Sequence, residues 1–253
     1  MNVEQAAAAI LHTIHADTRP DADPPAQRLV NECAHATSAA GTSLTWSVTH
    51  SAPLTIAATE GTGHALELIG FILGEGPQIS CAETNRIVLR PHLGDSNTEW
   101  PGFTPEALHV GVKAAFAFPL RLGAISLGAL TLYRNHPGTL SEDHLTTVLA
   151  YAAAATALLL DKSATETLHG DTIDVLPPIL EDPFTLQADV HQATGMLSAQ
   201  LKTDLGTALS LLRAHAYSNT KPLTSVARAV IARKLFITWD TSNFQSPDGT
   251  ENS

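Results

Sequence analysis

The stretch AAFAFPLRLGAISLGALTLYR, residues 114–134, decides the fold class. Its two apolar arms, AAFAFPL and SLGALTLY, read as strands split by RLGAI. Upstream, SLTWSVT (43–49) and PLTIAAT (53–59) alternate and are rich in β formers, and the intervening HSAP reads as a hairpin turn. RIVLR (86–90) is a further strand, stopped by Pro91. Downstream, LSEDHLTTVLAYAAAATALLLDK (140–162) reads as one long helix. Ser141 caps it, and Glu142 and Asp143 suit the positive end of the helix dipole. Two helices precede the strands. NVEQAAAAILHTIH (2–15) is one; PPAQRLVNECAHATSAA (24–40) is the other, with Leu29, Cys33 and Ala36 at helical spacing. Pro24 and Pro25 open this second helix, and Gly41 is expected to end it. Helices flanking a run of antiparallel-looking strands define an α+β class.

Composition sets the outer limits. Hydrophobic residues make up 44% of the 253 and charged residues 15%, which supplies a core and argues against global disorder. The two cysteines, Cys33 and Cys81, are too few for a disulfide framework and fit a reducing, cytoplasmic setting. The N-terminal stretch lacks the positive region of a signal peptide and carries Glu4. The longest apolar run, Leu149 to Leu160, is shorter than the roughly 20 residues a membrane helix needs, so no membrane partner is expected.

Charge divides the chain. Six of the 14 Lys and Arg residues lie between Thr185 and Ile237, opposed only by Asp189 and Asp204. That window is at about +4 in a chain whose net charge is −11. It reads as three short helices. Val190, Ala193, Leu197 and Leu201 form one apolar stripe; Leu205, Ala208, Leu209, Leu212 and Ala216 the next; Leu223, Val226, Ala227, Val230 and Ile231 the third. So small a core is expected to need dimerisation. Four segments follow: 1–162, α+β with N-terminal helices; 163–184, a linker rich in Pro and acids; 185–237, the basic all-α bundle; and 238–253, a polar tail.

QATGML (192–197), ALSLLRAHA (208–216) and KPLTSVARAVIARKL (221–235) resemble, in order and distance, the ANTAR domain, a three-helix RNA-binding module of bacterial transcription antiterminators. GEGPQIS (74–80), DSNTEWPGF (95–103), AAFAFPLRLGAISLGALTLYR and HPGTLSEDH resemble a GAF sensor domain of the kind fused to ANTAR modules. The resemblance implies a cytoplasmic regulator with a GAF-type α+β domain and an all-α three-helix ANTAR bundle. A small-molecule or protein signal in the first would control whether the second, as a homodimer, engages paired hairpin loops in RNA and stops a terminator from forming. It also implies an unidentified small ligand in the GAF pocket; no cofactor is identified.

Arg213, Lys221, Arg228, Arg233 and Lys234 are the expected phosphate and base contacts, since Arg and Lys attract phosphate and Arg forks to or stacks on unpaired bases. Gln192, His215 and Tyr217 are candidate base contacts, with Tyr217 open between surface and core. Gly195, inside a helix, either admits a second backbone or an RNA loop or serves close packing within the bundle. GEGP lacks the Lys-Ser/Thr of a phosphate-binding loop and reads as a turn beside the GAF pocket. Haem or redox sensing would draw on His92, His109, Cys33 or Cys81. His12 and His15 share a helix face, but nothing completes a metal set. No nucleophile–base motif is present, so no enzymatic activity is expected. Two other classes remain: a ligand or protein-interaction module whose C-terminal helices only dimerise, and helix-turn-helix DNA binding.

Overall fold

A computed structural model describes residues 2–16, 19, 22–47, 54–95, 99–167 and 185–237. It divides into two units, Met1–Thr185 and Leu186–Ser253. The first opens with helices α1 (Val3–Ala16) and α2 (Pro25–Thr37), then strands β1 (Gly41–Trp46) and β2 (Leu54–Ala58). Helices α3 (Thr62–Leu73) and α4 (Pro77–Thr84), strand β3 (Val88–Arg90) and the short helix α5 (Phe103–His109) follow. Strands β4 (Ala114–Leu122) and β5 (Ile125–Arg134) and the long helix α6 (Glu142–Thr167) complete it.

The five strands form one antiparallel sheet in the order β2-β1-β5-β4-β3. Side chains alternate across it, as the two-residue period of a strand requires. Leu44, Leu54, Ile56, Phe116, Phe118, Leu120, Leu130 and Leu132 join a core with residues of α1, α2 and α6. The intervening residues face the other way. Ala115, Ala117, Ala129 and Tyr133 pack with Leu66, Cys81, Trp100 and Phe103 from α3, α4, α5 and the loop before α5. The sheet is therefore covered on both sides. Its α3–α4 side is lined by smaller and more polar residues, which leaves room for a site.

Several boundaries differ from the sequence reading. Helix α2 ends in a left-handed Ser38 (φ 52°), and Gly41 begins β1 instead of closing the helix. Strands β4 and β5 run through most of RLGAI, so only Gly123 and Ala124 turn between them. Helix α6 continues to Thr167, five residues into the expected linker; 168–184 and the tail 238–253 lie outside the described residues, as does HSAP. Over Glu142–Asp161, α6 is long and apolar enough to cross a membrane, against the shorter span expected from the apolar run alone. Its Val148, Ala154, Ala155 and Leu158 are nevertheless spent on the sheet-facing core, with α1 and α2 beside it. The Ser141 hydroxyl accepts from the His144 amide at 3.2 Å, the expected cap.

The second unit holds α7 (Thr185–Leu201), α8 (Leu205–Ser218) and α9 (Leu223–Ile231). Val190, Ala193 and Leu197, then Ala208, Leu209, Leu212 and Ala216, then Leu223, Val226, Ala227 and Val230 are buried. Asp204 caps α8, its carboxylate accepting from the Thr207 amide at 2.9 Å.

Candidate functional site

The most unusual group in the first unit is Glu67, a carboxylate 2% exposed in the middle of the apolar helix α3. Strand alternation supplies its partners. Leu44 and Ile56 point to the α1–α2–α6 side, so Ser43, Thr45 and Thr55 point to α3. The Ser43 hydroxyl donates to Glu67 Oε1 at 2.6 Å and the Tyr133 phenol to the same oxygen at 3.3 Å. Thr45 and Thr55 donate to Oε2 at 3.1 and 3.3 Å. Burial raises the Glu67 carboxyl above its ordinary 4.5, against the pull of these four hydroxyls. The neighbouring Tyr133 phenol is raised well above 10.0, first by burial and then by Glu67.

Glycine brings α3 this close to the sheet. A Cβ on Gly63 would stand 2.7 Å from the Thr42 carbonyl oxygen, so a side chain there would push the helix off β1. One turn beyond Glu67, a Cβ on Gly70 would meet Gln78 Nε2 at 2.1 Å. Beside Glu67 lies a cavity of about 10 Å³ lined by Thr45, Thr55, Glu67, Phe71, Gln78 and Ile79. GEGP runs along this region as the turn between α3 and α4, with Gly74 and Gly76 at positive φ and Pro77 opening α4. Two of the four stretches that carry the GAF resemblance, GEGPQIS and DSNTEWPGF, meet here. Glu75 accepts from the amides of Gly102 and Phe103 at 2.8 and 3.2 Å, and the Trp100 indole donates to Ser80 Oγ at 2.8 Å. Arg90 pairs with Glu99 and lies 5.5 Å from the Trp100 ring.

The redox candidates have unsuitable surroundings. Cys33 is buried in the helical core with its thiol raised above its ordinary value, and burial pushes Cys81 up to about 12. His92 and His109 are exposed. Among the described residues no group of three His, Cys, Asp or Glu side chains could hold a metal.

In the second unit the expected RNA contacts separate into distinct environments. Tyr217 is 90% exposed, which removes the core alternative. It lines an open cleft at the α8–α9 turn together with Lys221, Ser218 and Thr220. Gln192, Arg233 and Lys234 are exposed, and His215 is half-buried. Arg228 is exposed but held by Asp189, Nε to Oδ2 at 2.7 Å, so this base is opposed by an acid where the sequence reading took the bases to be nearly unopposed. Arg213 is half-buried, and burial lowers it to about 10. His191 is lowered to about 4, by burial and then by the Arg213 charge. Arg213 therefore acts partly inside the helical unit. A Cβ on Gly195 would meet nothing within 4 Å, so close packing within the bundle does not explain this glycine.

No family model matches the chain, and no curated protein does. Solved structures do match. The GAF domain of a phosphoenolpyruvate-protein phosphotransferase from Coxiella burnetii is 16% identical, with TM-score 0.51, covering 66% of this chain and 98% of that one. The corresponding Acinetobacter GAF domain is 15% identical, with TM-score 0.50, covering 65% of this chain and 97% of that one. The antiparallel sheet with helices on both sides thus has the GAF fold. Glu67 and its hydroxyl partners occupy the side of that sheet under α3 and α4. Sequence reasoning did not single them out, although Glu67 is the only charge in TGHALELIGFIL.

Proposed function

We propose that this protein is a signal-responsive, RNA-binding regulator of transcription antitermination. In this reading the GAF unit binds a small ligand on the Glu67 side of its sheet. The C-terminal helices, which resemble an ANTAR domain, then engage paired hairpin loops as a homodimer in the cytoplasm. The observation that carries the reading is the exposure of Lys221, Arg233 and Lys234 together with Tyr217, in a window at about +4 within an acidic chain. Cations of this kind attract phosphate, and an exposed aromatic ring offers a platform for an unpaired base. No catalytic role is assigned to any residue.

The test is a titration of the full chain with an RNA of two adjacent hairpins. Arg233→Glu with Lys234→Glu is expected to abolish binding while sedimentation shows an unchanged oligomeric state. A wild-type chain that dimerises but binds no RNA supports the alternative, helices that only dimerise. Exposed Phe236, at 66%, favours that second reading by offering an apolar contact.

A further inference from the structure

We propose that the open cleft at the α8–α9 turn seats one unpaired base of an RNA loop, stacked on Tyr217, with its adjoining phosphate on Lys221. The inference rests on the RNA-binding reading above and names the part of the RNA that this turn holds: the face of a base and not its edge.

Tyr217 stands one residue past Ala216, the last buried position of the α8 stripe, so its ring lies off the packed face and is 90% exposed. A ring so exposed contributes almost nothing to the helical core. The chain then reverses at once. Thr220 takes a left-handed conformation (φ 51°), and Lys221 and Pro222 return along the cleft that Tyr217 lines. The cleft measures about 670 Å³, within the roughly 300–1,000 Å³ of small-molecule sites. Its lining combines an aromatic ring, the apolar ring of Pro222 and one cation.

The hydrogen bonds of the turn decide what it can read. The amides of Asn219, Thr220 and Lys221 donate to the carbonyls of His215, Tyr217 and Ala216 at 3.2, 3.0 and 2.9 Å. Pro222 has no N–H. The Asn219 side-chain amide and the Ser218 hydroxyl both donate to the His215 carbonyl, at 2.9 and 3.3 Å. The turn therefore closes on itself and offers a base edge no backbone donor between Asn219 and Pro222. What it offers is a ring face and a charge. Stacking on an aromatic ring tolerates any base, because every base has a π-face, but it requires the base to be out of a duplex. Lys221 is exposed, and the two acids of this window are engaged elsewhere, Asp189 with Arg228 and Asp204 with Thr207. An ammonium group acts on phosphate as a point charge. A protein surface is the other occupant an exposed tyrosine could serve. The cation beside it, in a window at about +4, favours the polyanion.

The test is a titration of the full chain with a two-hairpin RNA in which each loop base in turn is removed or replaced by a fluorescent purine analogue. At one loop position, binding is expected to quench the analogue, and removal of the base to weaken affinity about tenfold, the worth of one stacked base. Exchange of adenine for guanine there should cost less than removal. Tyr217→Phe, which keeps the ring, should bind as the parent does. Tyr217→Ala should lose the quenching and about tenfold in affinity, yet bind the RNA lacking that base as well as the parent does. Because the ring is exposed, this variant should melt with the parent. Equal RNA affinity of parent and Tyr217→Ala overturns the proposal and leaves the RNA-binding reading standing, as does an exchange that costs as much as removal. A changed oligomeric state in Tyr217→Ala with RNA affinity intact assigns the ring to a protein contact and also overturns it. A parent chain that binds no hairpin RNA defeats the RNA-binding reading, and this inference with it.

Discussion

Glu67 and His191 are two buried titratable groups with opposite consequences. For Glu67 the folded carboxyl is raised above 4.5, so the folded chain holds a proton the unfolded chain releases. Its contribution to stability is full below 4.5 and falls as pH rises through the folded value. Urea unfolding between pH 5 and 8 should therefore show a smaller loss of stability with pH in Glu67→Gln than in the parent; equal slopes would contradict this. For His191 the folded value is lowered from 6.5 to about 4. Its contribution is full above 6.5 and is lost as pH falls toward 4. Acidification over that window should destabilise the C-terminal helices, followed by their amide exchange, and His191→Gln should blunt the effect. Little of the Glu67 site was legible in the sequence. Alternation in SLTW and LTIA normally sends Ser43, Thr45 and Thr55 to solvent, but here both sheet faces are covered. Only the lone acid in the apolar TGHALELIGFIL hinted at a buried partner for them.

Among the elements, strongly patterned ones were readable and short ones were not. The arms around RLGAI fixed β4 and β5, and Ser141 with its acids fixed the start of α6, because alternation and capping are local. Helices α3, α4 and α5 were missed, since their faces are set by contact with the sheet and with one another. The turn residue Ser38 was missed because a left-handed cap does not need glycine. Helix α7 carries a sharp test. Gly195 has open space around its absent Cβ, so Gly195→Ala should stabilise the helix by about 0.5–1 kcal/mol in urea unfolding of the free protein. If that glycine admits RNA, the same variant should lose RNA affinity. Destabilisation instead would place a packed neighbour against this face. Asp189 should matter in the other direction. It holds Arg228 at 2.7 Å, so Asp189→Asn should release the guanidinium and raise RNA affinity, about threefold if it recovers one exposed charge interaction. The stability change should stay below about 1 kcal/mol, because Arg228 is largely exposed.

For the whole molecule, segregated charge matters more than net charge. A chain at −11 is a poor general binder of nucleic acid, yet six of its 14 bases lie in a window with two acids. That division was legible from residue counts. The partial burial of Arg213 and the pairing of Arg228 were not, because both depend on how three helices meet. Exposed Lys221, Arg233 and Lys234 are the cations the reading relies on. The decisive measurement is the affinity of the full chain for a two-hairpin RNA as a function of salt, with duplex DNA of equal length as competitor. If these three residues each neutralise one phosphate, log K should fall against log salt with a slope of about −2. The Lys221→Glu, Arg233→Glu, Lys234→Glu variant should not bind, and the DNA should not compete. Absence of saturable RNA binding at low salt, or equal competition by the DNA, would contradict the account.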